Sequence, residues 1–396
     1  VQPPDGNHLE ESGGDGGMIK RTLQELCLNI TDGKHGDCEN EENSGYYFIS
    51  CKDIFDGQIN YKNARQITKA DFEETHKRTM LEVDDILLTN SGTIGRMAFV
   101  TDREATTKTT FQKSVAIIKP DKQKVLPRYL YYQLQNCVPQ FINSSNGSAQ
   151  KNLLLSTMRT FQIEIEENCE KQEKIANTLS AYDDLIENNQ KQIKLLEEAA
   201  QRLYKEWFVD LRFPGHENTE IVDGVPEGWS RGLLKELISV NYGKDHKKAP
   251  DDGNIPVYGS GGLMRKCNKS LFSGEAVLIP RKGSLNNIMY VDETFWTVDT
   301  MFYATMKQPH TAIFVYFFVK AFDMYSMNIG AAVPSMTTKI LDAMDVVIPD
   351  KETLEKFDKL TKTYFNKIKT LQGQNERLKI ARDLLLPKLM SGEVEV

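Results

Sequence analysis

The sequence predicts an α+β chain, with two α/β domains separated by a long antiparallel two-helix coiled coil and related by an internal pseudo-twofold repeat. Three observations predict it. Two stretches carry apolar residues at steps of three and four, each follows a segment of short strand-like runs, and the second half of the chain retraces the first.

The first rod, Lys171 to Phe208, is 38 residues without Gly or Pro, and as a helix rising ~1.5 Å per residue it would reach about 57 Å. Leu179, Tyr182, Ile186, Asn189, Ile193, Leu196, Ala200, Leu203 and Trp207 recur along one stripe, with Glu, Lys and Gln between them. That is a coiled-coil seam, and a rod of this length cannot bury its seam alone. Near the C-terminus Phe357, Leu360, Tyr364, Ile368, Leu371, Asn375, Leu378, Arg382, Leu385 and Leu389 repeat the pattern with more irregular steps. A single seam asparagine in each rod, Asn189 and Asn375, is expected to fix register.

Taken in order, residues 1–17 are Gly- and acid-rich without apolar pattern and are expected to be a disordered leader or tag remnant. Residues 18–166 form the first domain, with strands at Tyr46–Ser50, Ile86–Thr89, Met97–Val100, Val115–Ile118 and Phe161–Ile165 and a helix from Pro127 to Gln135. Residues 167–209 are the first helical spacer, 210–350 the second domain and 351–396 the second spacer.

Composition excludes several classes. No apolar run approaches the roughly 18 residues of a membrane span, and no signal-peptide pattern opens the sequence. The six cysteines are scattered without CxxC pairs, which fits reduced thiols in a cytoplasm. His35 and Cys38 are half of a metal site that no second pair completes. The net charge of −7 divides into −4, 0, −3, −3 and +3 over the five segments in order. No segment is strongly basic, so any nucleic-acid binding must come from Lys and Arg clustered on one face.

The repeat is specific. Leu23-Gln-Glu-Leu26 answers Leu234-Lys-Glu-Leu237, and each is followed by a Gly-Lys pair, Gly33-Lys34 and Gly243-Lys244. Asp84 to Ile94 aligns without a gap on Glu275 to Leu285, an acid, an apolar strand and a Gly turn in each. Gly147 to Asn152 and Gly330 to Ser335 then close the two domains before the strands Phe161–Ile165 and Asp345–Ile348.

With these repeats the chain resembles the specificity subunit of a type I restriction-modification system. The phrases that carry the resemblance are Tyr47 to Gly57, Trp207 to Gly215, Val225-Pro-Glu-Gly-Trp229, Ile255 to Gly262 and Leu385 to Glu393. It covers Met18 to Glu393, and the second domain departs where Ile279-Pro-Arg-Lys-Gly-Ser284 replaces Leu88-Thr-Asn-Ser-Gly-Thr93. The resemblance implies two target-recognition domains reading a split sequence in double-stranded DNA. It also implies partners: two methyltransferase subunits and restriction/translocase subunits, which would bind S-adenosylmethionine, ATP and Mg, leaving no cofactor in this chain.

Base readout needs side chains that donate and accept at base edges, with Lys and Arg around them on the phosphates. The loops that offer them in the first domain carry Lys34 and His35; Asn90, Ser91, Thr93 and Arg96; Lys108, Thr109, Thr110 and Lys113; and Ser148, Gln150 and Lys151. The second offers Lys244, His246, Lys247 and Lys248; Tyr258, Ser260, Arg265 and Lys266; Arg281, Lys282, Ser284, Asn286 and Asn287; then Thr300 and Ser335. Arg281 and Lys282 stand out, because they follow an apolar strand on a Gly turn.

Catalytic signatures are missing from the sequence. There is no GxxxxGK[ST] loop, no Asn-Pro-Pro-Tyr run, and the paired acids Asp84-Asp85, Asp183-Asp184 and Asp251-Asp252 lack the companions of a nuclease centre. The reading is a non-catalytic binding subunit. Two alternatives are a coiled-coil adaptor that binds protein only and the recognition half of a fused restriction-methylation enzyme.

Overall fold

The computed structural model describes residues 17–101, 104–145, 152–327 and 335–396. The leader expected over residues 1–17 lies outside them apart from Gly17. The chain forms two compact units, one made of residues up to Glu187 together with Asn375–Val396, the other of Asn188–Gln374.

In the first unit, strand Met18–Thr22 pairs antiparallel with Gln162–Glu166. A four-stranded antiparallel sheet runs in the order Cys27–Asp32, Val115–Pro120, Ile86–Thr89, Met97–Phe99. A smaller sheet orders Arg65–Gln66, Tyr47–Ile49 and Thr109–Phe111, the last pair parallel. Successive strand residues face opposite sides, so Ile86 and Leu88 enter one core with Tyr129, Leu130 and Leu134, while Leu87 enters another with Ile49 and Ile117. Burial on both faces is why this strand reads as an unbroken apolar run. Helix Pro127–Asn136 begins on its proline, whose missing N–H costs nothing in a first turn.

The second unit repeats the plan. Ser230–Leu233 pairs with Asp345–Ile348. The main sheet then runs Ile238–Tyr242, Met301–Met306, Phe272–Pro280, Met289–Thr297, Ile255–Gly259, Gly262–Cys267, and only the contact of Ile255–Gly259 with Met289–Thr297 is parallel. The same two-sided burial recurs, Val277 and Ile279 to one core, Ala276 and Leu278 to the other.

The first long helix spans Cys169–Tyr204 and runs on into a π turn, Lys205–Val209. Asn168 caps it, its Oδ1 accepting from the N–H groups of Glu170 (2.8 Å) and Lys171 (3.2 Å). The second spans Lys351–Met390, and Asp350 caps it by accepting from the Thr353 N–H at 2.9 Å. In the first unit Ile175, Ala176 and Leu179 share a core with Leu386, Leu389 and Met390. In the second, Ala200, Tyr204 and Trp207 share one with Leu354 and Phe357.

Of the predicted seam, Leu179, Ile186, Asn189, Ala200, Trp207, Phe357, Ile368, Leu371, Asn375 and Leu389 are buried. Tyr182, Ile193, Leu196, Leu203, Tyr364, Leu378, Arg382 and Leu385 are half-buried. Leu360 is a correction. It is 46% exposed, and Thr361, fully buried, takes its place. The helix there turns Phe357, Thr361 and Phe365 inward, and Phe365 lies 5.9 Å from Tyr316 and 6.3 Å from Phe317 on the domain helix Ala312–Lys320. Packing on the domain, rather than a continuous heptad, sets the inward face at that point.

Candidate nucleic-acid interface

The two Gly-Lys pairs do the same thing in each unit. The Lys34 N–H donates to the Phe111 carbonyl (2.8 Å) and the Lys244 N–H to the Thr297 carbonyl (2.9 Å). A Cβ on Gly33 would overlap the Phe111 carbonyl, and one on Gly243 the Val298 carbonyl, so only glycine lets the backbones approach this closely. The strand-end loops are matched as well. The Asn90 carbonyl accepts from Leu153 N–H (2.8 Å) and the Arg281 carbonyl from Met336 N–H (2.9 Å). Ser91 bridges to Asn152, and Lys282 to Ser335.

In the first unit three loops meet around a cleft of about 380 Å³: Ser50–Lys52, Ser91–Gly92 and Gln112–Ser114. The Cys51 N–H donates to Ser114 Oγ at 3.1 Å and joins two of them. Of the predicted residues, Ser91 and Lys113 line this cleft, and the exposed Arg96 reaches the Cys51 carbonyl at 3.5 Å. Lys52 and Gln112 line it too and were missed, Lys52 because it follows the strand expected at Tyr46–Ser50, and Gln112 although it lies within the loop expected to carry Lys108 to Lys113. Thr93 and Lys108 are exposed on neighbouring turns.

In the second unit the Arg281 guanidinium lies 5.5 Å from the Tyr242 ring centre and donates to the Asp299 carbonyl at 3.4 Å, while its backbone N–H bonds the Thr300 carbonyl at 2.8 Å. Lys282 and Ser284 beside it are exposed. Asn286 is a brace: its Nδ2 donates to Asp323 (3.0 Å) and its Oδ1 accepts from Met324 N–H (2.8 Å). Tyr325 donates to the Gly283 carbonyl at 3.1 Å. Tyr242 and Tyr325, 55% and 44% exposed, were not foreseen, although an exposed aromatic beside an arginine is a nucleic-acid signal. Lys244, Lys247 and Lys248 are exposed around the turn His246–Lys248.

Elsewhere the expectation of a free reading side chain is corrected. Asn90 and Thr109 are buried, and Thr109 donates to the Ala105 carbonyl at 2.7 Å, because the polar ends of buried strands stay inside. Lys34 is committed to Asp71 (3.0 Å) and Glu74 (3.3 Å), and the Asp71 bond raises its ammonium pKa. His35 sits on Asp32 at 2.9 Å. Arg265 pairs with Asp251 and donates to the Ala249 carbonyl at 2.7 Å. The Tyr258 phenol, raised by burial and then by its bond to Glu293, faces the body. Gln150 and Lys151, with Ser148, lie outside the described residues.

Burial pushes the Cys27 thiol up to about 12 and the Cys137 thiol to about 11, which removes thiolate chemistry there. Among the described residues, no group of three or more His, Cys, Asp and Glu is placed to hold a metal ion. Nor is any helix among them long and apolar enough to cross a membrane.

Comparison with known proteins agrees with this duplicated plan. The chain is 27% identical to the type I restriction enzyme MjaIX specificity subunit of Methanocaldococcus jannaschii, over 88% of this chain and 87% of that one. It is 23% identical to the type I restriction enzyme HindI specificity subunit of Haemophilus influenzae, over 70% and 80%. Its fold is similar to the crystal structure of the type I restriction-modification S subunit from M. genitalium, with a TM-score of 0.58 at 18% identity over 96% and 98% of the two chains. The family model described as "Type I restriction modification DNA specificity domain" matches residues 19–198 and again 226–379. The chain therefore belongs to the type I restriction-modification DNA specificity family and carries its domain twice.

Proposed function

We propose that this chain reads a bipartite DNA target, one half-site per domain, as the non-catalytic specificity subunit of a type I restriction-modification complex. The observation that carries the reading is the duplication of the loop architecture: in each unit a Gly-Lys crossover and a strand-end loop are held by the same backbone bonds, while the side chains they present differ. One scaffold with two side-chain sets suits two different half-sites. The relatives are named as specificity subunits, which assigns recognition rather than catalysis to the family.

The long helices dock two methyltransferase subunits in this reading, and restriction/translocase subunits join the full complex. S-adenosylmethionine, ATP and Mg belong to those partners. The test is co-expression with the methyltransferase subunit, followed by sequencing of methylated bases in the host genome. A split motif with a fixed gap is expected, and replacing residues 210–350 by the matching segment of a relative should change one half of it only. A complex that forms but methylates a continuous motif would overturn the bipartite reading. An adaptor that binds protein only would show no salt-dependent DNA affinity.

A further inference from the structure

In the second unit the strands Ile255–Gly259 and Gly262–Cys267 form a hairpin, and its outer strand is the last of the six-stranded sheet. The register shifts between Val257, opposite Arg265, and Tyr258, opposite Leu263, so Met264 is the extra residue of a bulge on the outer strand. Here Leu263 is 60% and Met264 54% exposed. Two large apolar side chains thus stand open to solvent beside the tip.

The tip adjoins the Arg281–Asn287 loop. Asn287 Nδ2 donates to the Ser260 carbonyl at 2.9 Å, and a Cβ on Gly283 would strike Ser260 Oγ. On the other side, Arg265 ties the hairpin to the lysine-bearing turn through the Ala249 carbonyl. Lys247, Lys248, Lys266 and Lys282 are exposed around it, and among the described residues none has a carboxylate oxygen within 4 Å of its ammonium. Of the nearby acids, Asp251 holds Arg265 and Asp245 accepts from the Lys247 N–H at 3.0 Å, while Asp252 is exposed.

An apolar pair framed by unpaired ammonium groups calls for a ligand that is anionic at its rims and apolar within. The DNA major groove has that character, with phosphates at its edges and thymine 5-methyl groups on its floor, and it is wide enough for a two-stranded ribbon. We propose that the hairpin enters the major groove and that Leu263 and Met264 read thymine methyl groups. This rests on the DNA-reading function proposed above.

The full chain is first used to select its sequence from a pool of randomised duplexes. Each thymine of the selected duplex is then replaced by uracil, which removes only the 5-methyl group, and the affinities of the parent and of the L263A/M264A variant are compared. At one or two thymines of a single half-site, uracil is expected to weaken the parent about fourfold each, the effect of one buried methyl-sized group. The variant should bind the thymine and uracil duplexes alike, and match the parent on uracil DNA, which also shows that it is folded. A parent indifferent to uracil, a selected motif without T·A pairs, or a variant as sensitive as the parent would each overturn the inference, as would a variant weaker than the parent on uracil DNA. A parent that selects no sequence would remove the DNA-reading function itself, and this inference with it.

Discussion

Arg281 and Lys282 are neighbours with different surroundings. The arginine is oriented by the Tyr242 ring and the Asp299 carbonyl, while the lysine side chain is exposed beside it. A held guanidinium suits a base edge and a free ammonium suits a phosphate. Arg281→Ala is therefore expected to relax preference at one base position at a cost of about 1–3 kcal/mol. Lys282→Ala should weaken all sequences alike and lower the salt slope by about one; selection and salt titration of both variants check this, and equal behaviour would refute it. Asp350 carries a different load. Burial works against its charge, but donors from Thr353 and from the Trp229 indole, at 2.7 and 2.9 Å, hold its pKa below the ordinary value. A lowered pKa means stability present above the unfolded carboxylate range and lost as pH falls through the folded value. Asp350→Ala should cost about 1–2 kcal/mol at pH 7, with the gap to the parent closing below about pH 4, as followed by denaturant unfolding. Sequence reading located Arg281 because a strand-ending Gly turn is a local pattern. It missed Tyr242, whose value lies in what stands beside it, and overrated Thr109, whose burial is decided by a strand 62 residues upstream.

Among elements, the long helices owe their pairing to more than the seam. In the first unit Arg382 of the second helix forms an ion pair with Asp183 of the first, and Asp183 also accepts from Tyr132 at 2.6 Å on the domain helix Pro127–Asn136. Arg382 and Asp183 are 20% and 22% exposed, so Asp183→Asn should cost about 2 kcal/mol, less than for a fully buried pair. A double-mutant cycle with Arg382→Met should recover a coupling of similar size; a coupling near zero would make the pair ornamental. Strands were legible where an apolar run marks them, as at Ile86–Thr89, buried on both faces, and Asp345–Ile348, where Val346 is buried and Val347 and Ile348 are half-buried; the bounds of both in the structure are those expected. Leu360 was misread for the opposite reason, since a heptad pattern says nothing of the domain helix that takes Phe365 instead. The family phrases Trp207–Gly215 and Val225–Trp229 gain a physical sense too. Phe208 lies 4.8 Å from Phe357, and Trp229 4.8 Å from Phe213, so they clamp the end of one rod to the start of the other.

For the whole molecule, the duplication was legible because it repeats backbone-dictating residues, Gly33 and Gly243 above all, whereas the target is not, because no residue code converts loop geometry into bases. If the helices set the gap between half-sites, one heptad inserted into each should lengthen it by about 10 Å, or roughly three base pairs; methylome sequencing of the insertion variant checks this, and an unchanged gap would show that the helices only dock partners. The division into units has a consequence for synthesis. The first unit closes with Asn375–Val396, and Leu386, Leu389 and Met390 fill its core beside Leu179. The domain that leaves the ribosome first must thus wait for the last-made helix to complete its interior. A product stopped at Gln374 would hold every residue of the second unit, Leu354 and Phe357 included, and leave the first core open. Reading of the first half-site is thereby made conditional on translation having passed through both domains.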